Sequence, residues 1–250
     1  MKSKILSIIL ILFACNISGQ NIKDCSVCDK KLLTENQLKD KSKEELALLR
    51  NEIYARKGYV FENYGYSQYF EEQKWYKPIY DNDKIKLSEI ENANVVLIKS
   101  LETKIQQKRN LAINDLKKLK AAFNNKDKQF VDDFLKPLKE EGGTSSIYDD
   151  TLEYLKKTLN YINLNDINWN NGKGLYRVKI DNGYNISHYE IRIVGNEVTI
   201  STGDDSHSEN WGDWGDGYSN YMSESEYQVW WVFEMTETGL VPKYIYGAGG

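Results

Sequence analysis

Only two histidines, His188 and His207, and three cysteines occur in the 250 residues, and this scarcity bounds the chemistry. A structural zinc site wants four ligands, and no second CxxC joins Cys25 and Cys28 to complete one, so no metal ligand is assigned. There is no HExxH, no nucleophile elbow and no phosphate-cradling glycine loop, and neither a catalytic residue nor a cofactor is assigned. Positive charge is not in excess either: 33 basic residues face 37 acidic ones, net −4, which argues against a nucleic-acid partner.

The chain opens with Lys2 and Lys4 ahead of an apolar run from Ile5 to Ala14. That run is too short for a membrane-spanning helix but fits a signal-peptide core, so residues 1–19 are expected to direct export to the periplasm or the exterior. Two cleavage sites compete. Ile17-Ser18-Gly19 before Gln20 is an ordinary site and is favoured, whereas Leu12-Phe13-Ala14-Cys15 resembles a lipobox whose use would acylate Cys15 and make the protein a membrane-anchored lipoprotein. Contact with a membrane is expected only in that second case. Residues 20–34 then form a segment whose Cys25 and Cys28, in an oxidising compartment, read as a local disulfide. A thioredoxin-like role would need the pair at a helix start within a βαβ unit, and the lysine-rich surroundings offer none.

Charge divides the remainder. Residues 20–125 carry 20 basic and 16 acidic side chains, net +4, while residues 126–250 carry 11 and 21, net −10, an asymmetry that predicts two domains. In the first, the stretch from Leu46 to Pro78 reads as a helical hairpin. Leu46, Leu49 and Ile53 recur with helical spacing, Arg50, Tyr54 and Lys57 share a neighbouring stripe, and Glu52 stands four residues before Arg56. Gly58 is expected to stop the helix with positive φ, sending Tyr59, Val60 and Phe61 back over it, and a second helix over 68–74 should present Tyr69, Phe70 and Trp75 to the same core.

As letters, Arg50-Asn51-Glu52-Ile53-Tyr54-Ala55-Arg56, Gly58-Tyr59, Phe61, Tyr69-Phe70 and the closing Trp75-Tyr76-Lys77-Pro78 resemble the YARHG domain of bacterial surface and envelope proteins, over about residues 35–102. Lys57 stands where the family has histidine, so no imidazole role carries over. The resemblance implies an envelope address and no transferable catalytic activity. A helical domain over 35–105 follows from it.

After Asp81-Asn82-Asp83, Ser88 and Glu91 make a capping box for a long helix, whose Ile90, Ala93, Leu97, Leu101 and Ile105 form a first stripe and Leu116, Leu119 and Phe123 a later one. Between them, Lys104 to Asn110 reads either as a solvated joint or as a break. A short helix around Phe130 and another capped by Asp150 follow. From Gly174 the period becomes two, predicting about five antiparallel strands with turns at Asn182-Gly183, Gly195-Asn196 and Thr238-Gly239. The whole is expected to be α+β: a small helical YARHG-type unit, a connecting helix, and helices plus an antiparallel sheet over 106–250. That order resembles the NTF2-like cone, which would imply a pocket usable by an enzyme or a small-ligand binder.

Two candidate binding sites emerge. Arg56 and Lys57 would hold anionic envelope groups beside Tyr59, which would stack on sugars or peptide, against the plainer reading that Arg50, Tyr54, Gly58, Phe61 and Trp75 are structural, that Arg56 stacks on a ring and pairs with Glu52, and that Lys57 is merely solvated. The second is a long loop from Gly203 to Tyr221, whose Trp211, Trp214 and Tyr218 would make a sugar-stacking platform and whose aspartates lack EF-hand spacing. His188 is read as a strand-opening histidine near Tyr176 or Trp231, without an acid partner. The expected function is non-catalytic binding of a glycan, peptidoglycan or protein at the cell envelope.

Overall fold

The computed structural model describes residues 22–140, 146–209 and 221–248. Helices come first: α1 (Glu35–Leu38), α2 (Lys43–Ala55), α3 (Tyr64–Glu71), α4 (Glu89–Asn125), α5 (Lys128–Leu135) and α6 (Ser146–Tyr161), with the two-residue strand β1 (Lys139–Glu140) before α6. Then come β2 (Asn168–Asn170), β3 (Lys173–Asp181), β4 (Asn185–Val194), β5 (Glu197–Glu209), β6 (Tyr221–Thr236) and β7 (Gly239–Ala248). The fold is α+β.

Helix α2 starts where Ser42 and Glu45 cap each other's backbone N–H, at 3.2 and 2.8 Å, and it buries Leu46, Leu49 and Ile53. Gly58, at φ 88°, ends it with a paired closure in which Tyr59 N–H reaches the Tyr54 carbonyl at 3.2 Å and Gly58 N–H the Ala55 carbonyl at 2.9 Å. The chain then folds back and is pinned along its length. Ile79 N–H donates to the Gly58 carbonyl at 2.9 Å, Tyr76 Oη to the Tyr59 carbonyl at 2.8 Å, and the Asn82 amide engages both backbone groups of Val60. Within this strap α3 starts at Tyr64, four residues before the expected position, because the Asn63 side chain caps it by accepting from Tyr66 N–H.

Helix α4 is unbroken through residues 104–110, which settles the choice between a joint and a break, as a stretch without glycine or proline allows. Its first half closes a small core with Cys25, Cys28, Leu33, Leu38 and the apolar face of α2. The buried positions there are Glu91, Asn94 and Ile98, not the expected Ala93 and Leu97: Ala93 is exposed and Leu97 only half-buried. Asn94 is buried because its side chain serves loop backbone, accepting from Leu33 N–H at 2.7 Å and donating to the Cys28 and Lys31 carbonyls. Cys25 and Cys28, with Cα atoms 4.9 Å apart, are disulfide-bonded inside this core.

The second half of α4 buries Ala112, Leu116, Leu119 and Ala122 against the sheet together with α5 and α6. Strands β2 to β7 form an up-and-down antiparallel meander in sequence order, and β1 adds to the outer edge of β7 in parallel, giving seven strands among the described residues where about five were expected. Strands β5 and β6 are longer than expected, so Gly203 to Glu209 is strand rather than loop. Helix α6 begins before Asp150, which therefore lies inside the helix and does not cap it.

The helix-facing side of the sheet presents Tyr189, Ile191, Ile193, Val198, Ile200, Val229, Trp231 and Phe233 to the apolar core. The indole N–H of Trp231 is its single buried side-chain donor without a partner among the described residues.

Candidate functional site

Three places gather the chemistry. At the YARKG helix stop, Arg56 donates to Glu52 at 2.5 Å and lies 4.3 Å over the Trp75 ring. Lys57 is not the solvated residue expected: its Nζ sits 2.9 Å from Glu91, whose side chain is only 3 % exposed. Helical spacing could not show this partner, which arrives from α4, 34 positions away. Tyr59 packs edge-on between Tyr54 and Phe61, and Phe61 stacks on the fully buried Phe70. Arg50 reaches Glu102 of α4 at 2.7 Å. These cations are thus engaged inside the fold.

The second place is the junction between α2, α4 and the sheet. Arg109, 5 % exposed, forks onto Glu44 at 2.8 and 3.2 Å and lies 3.7 Å over the Trp169 ring. Glu44 also accepts from Gly172 N–H at 2.9 Å. Burial alone would raise the Glu44 carboxyl, but the Arg109 hydrogen bonds and charge, with the Gly172 N–H, bring it below the ordinary carboxylate value. The charged stretch Lys104 to Asn110, which the sequence left as a solvated joint or a break, therefore carries through Arg109 a link from α4 to α2 and the β2–β3 turn.

The third place is the sheet face turned away from the helices. Alternation puts one row of outward side chains across five strands: Arg177 on β3, Glu190 on β4, Ser201 on β5, Trp230 on β6 and Tyr246 on β7 are successive cross-strand partners. A second row runs Lys179, His188, Gly203, Gln228. One rim is charged, since Glu190 pairs with both Arg177 and Arg192. The other rim is aromatic: Trp230 and Tyr246 stack at 4.8 Å with planes 14° apart, and Tyr244 flanks them. Between the rims the small residues Ser201 and Gly203 leave a cleft of about 500 Å³.

His188 belongs to this face, opposite Tyr176 and Trp231, and it does have an acid partner: its Nε2 is 2.5 Å from Asp205 Oδ2. The expected position was wrong because strand parity, not proximity in sequence, decides the face. Asp205 was read as part of a loop, and recognising it as strand would have exposed the pairing. Trp211, Trp214 and Tyr218 lie outside the described residues, as do Cys15 and the whole of residues 1–19. No group of three or more metal-ligating side chains occurs among the described residues.

Residues 25–103 match the YARHG domain, and this part of the chain is a YARHG domain. The match starts at Cys25, ten residues before the expected start, in keeping with the shared core of the disulfide and α2. The domain is typical of exported, envelope-associated proteins, and no helix among the described residues is long and apolar enough to cross a membrane. Comparison with curated proteins and with solved structures gives no match, so the likeness to NTF2-like proteins gains no support.

Proposed function

We propose that the protein is a non-catalytic, exported binding protein of the bacterial envelope that holds a glycan strand, with peptidoglycan the first candidate, on the open face of its sheet. One observation carries this reading: the cleft between the stacked Trp230 and Tyr246 and the charged Arg177, Glu190 and Arg192 rim. A sugar ring offers an apolar C–H face to an aromatic plane and hydroxyl or carboxyl groups to neighbouring polar side chains, and the two rims supply both. The YARHG unit, whose Arg50, Arg56 and Lys57 are already paired internally, serves as the supporting part that is joined to the sheet through α4.

The test is cosedimentation of the exported chain with purified cell-wall sacculi. Wild type should pellet with them, and Trp230→Ala should bind at least about tenfold more weakly while melting at nearly the same temperature, as removal of a partly exposed stacking ring predicts. Equal pelleting of the two proteins would remove the sheet face from consideration.

A protein partner is the second reading, and the same variant in a crosslinking capture from envelope extracts distinguishes it. The His188–Asp205 pair is a base oriented by an acid, but no hydroxyl or thiol among the described residues bonds to the ring, so hydrolysis is not favoured.

A further inference from the structure

A groove of about 440 Å³ lies where the start of α2, the middle of α4 and two sheet turns meet, and it is separate from the open sheet face. Its apolar lining comes from buried Met235 and half-buried Ile105 at the floor, with Val194 at the exposed lip. Lys39, Lys41 and Lys173 stand at its rim, and none of the three has an ion-pair partner among the described residues. The neighbouring cations Lys108 and Arg109 are committed to Glu237 and Glu44. Of the two acids on the wall, Glu45 is engaged in capping α2, and Asp40 also has a contact of its own.

We infer that this groove binds an amphiphilic oxyanion, a carboxylate or phosphate carried on a short apolar body. The volume falls within the roughly 300–1,000 Å³ of small-ligand sites, and junctions between structural units are a favoured position for them. An apolar floor rewards burial of the tail, and free lysines that reach in from both halves reward a negative head. A lysine is a point charge with rotatable donors, so it accepts either anion without the fixed fork geometry that arginine would impose. Because Lys39 and Lys41 come from one half and Lys173 from the other, a bound ligand would also tie the two halves together.

The experiment is calorimetric titration of the exported chain with octyl phosphate, octanoate and neutral octyl glucoside, each below its micelle concentration. At least one anion should bind saturably near one per chain, and the glucoside should not. The double variant Lys39→Ala/Lys173→Ala, which removes exposed side chains and should keep the wild-type melting temperature, should bind about tenfold or more weakly. Val194→Asp, which puts an acid on the exposed lip of the floor, should also weaken binding. Trp230→Ala should bind as wild type does, and a loss in that variant would overturn the assignment to the groove by placing the probe on the sheet face. The inference also fails if the glucoside binds as well as the anions, if the lysine variant keeps full affinity, or if no probe saturates.

Discussion

At Gly58 two costs coincide for any side chain. Its φ of 88° would strain an alanine by about 1–2 kcal/mol, and the added Cβ would stand 2.7 Å from the Lys77 carbonyl oxygen and 2.8 Å from Ile79 Cγ2. Gly58→Ala should therefore lose about 2 kcal/mol or more in denaturant unfolding; a loss below about 0.5 kcal/mol would mean that the strap at Lys77 to Ile79 is not held against the helix end. Lys57 gives a second prediction, opposite to its sequence reading. Removing it leaves the Glu91 carboxylate buried without its cation, so Lys57→Ala should cost about 1–2 kcal/mol, more than the few tenths of an exposed pair. Adding Glu91→Gln should recover part of that loss. A melting temperature unchanged by Lys57→Ala would show that the pair contributes nothing.

The element that matters most is α4, whose 37 residues give it a length of roughly 55 Å and a place in both cores. Coupling along it depends on the Arg109, Glu44, Trp169 and Gly172 group. Because the Glu44 carboxyl is held below its ordinary value of 4.5, its charged form is favoured by folding. The stability it contributes is complete above that value and fades as pH falls through the lowered one. Unfolding followed below pH 4.5 should show wild type losing stability more steeply than Glu44→Gln; parallel curves would exclude Glu44 as the acid-sensitive group. Gly172 makes the same junction possible sterically. At φ 77°, a Cβ there would come within 2.7 Å of the Ser42 side chain, so Gly172→Ala should loosen the docking of the sheet on α2. Faster hydrogen exchange at the Asn171–Gly172 turn and the α2 start, with the distant Ile191 and Trp231 core unchanged, is the expected signature.

For the molecule as a whole, two surfaces with different chemistry lie on one chain: an aromatic and charged trough across the sheet, and a lysine-rimmed groove at the junction. Export is the precondition for both assignments to an envelope ligand. Mass analysis of the native product should give a start at Gln20, with an acylated Cys15 as the lipoprotein outcome; an intact Met1 in the native host would sink the export reading.

Local pattern determined a good part of this. The spacing of Leu46, Leu49 and Ile53, the capping box at Ser88, the stop at Gly58 and the alternation in β3 and β4 are dictated by residues within a few positions of one another, and local rules read them correctly. Partners that arrive from far along the chain were decided only by the tertiary structure. Lys57 meets Glu91, Arg109 meets Glu44, Asn94 serves the loop at Cys28, and Trp230 joins Arg177 across four strands, each through packing that no short window contains. Polar residues at buried positions of α4 misled the stripe for the same reason: Glu91, Asn94 and Arg109 look solvated in sequence and are buried because the fold supplies the opposite charge or hydrogen bond at each.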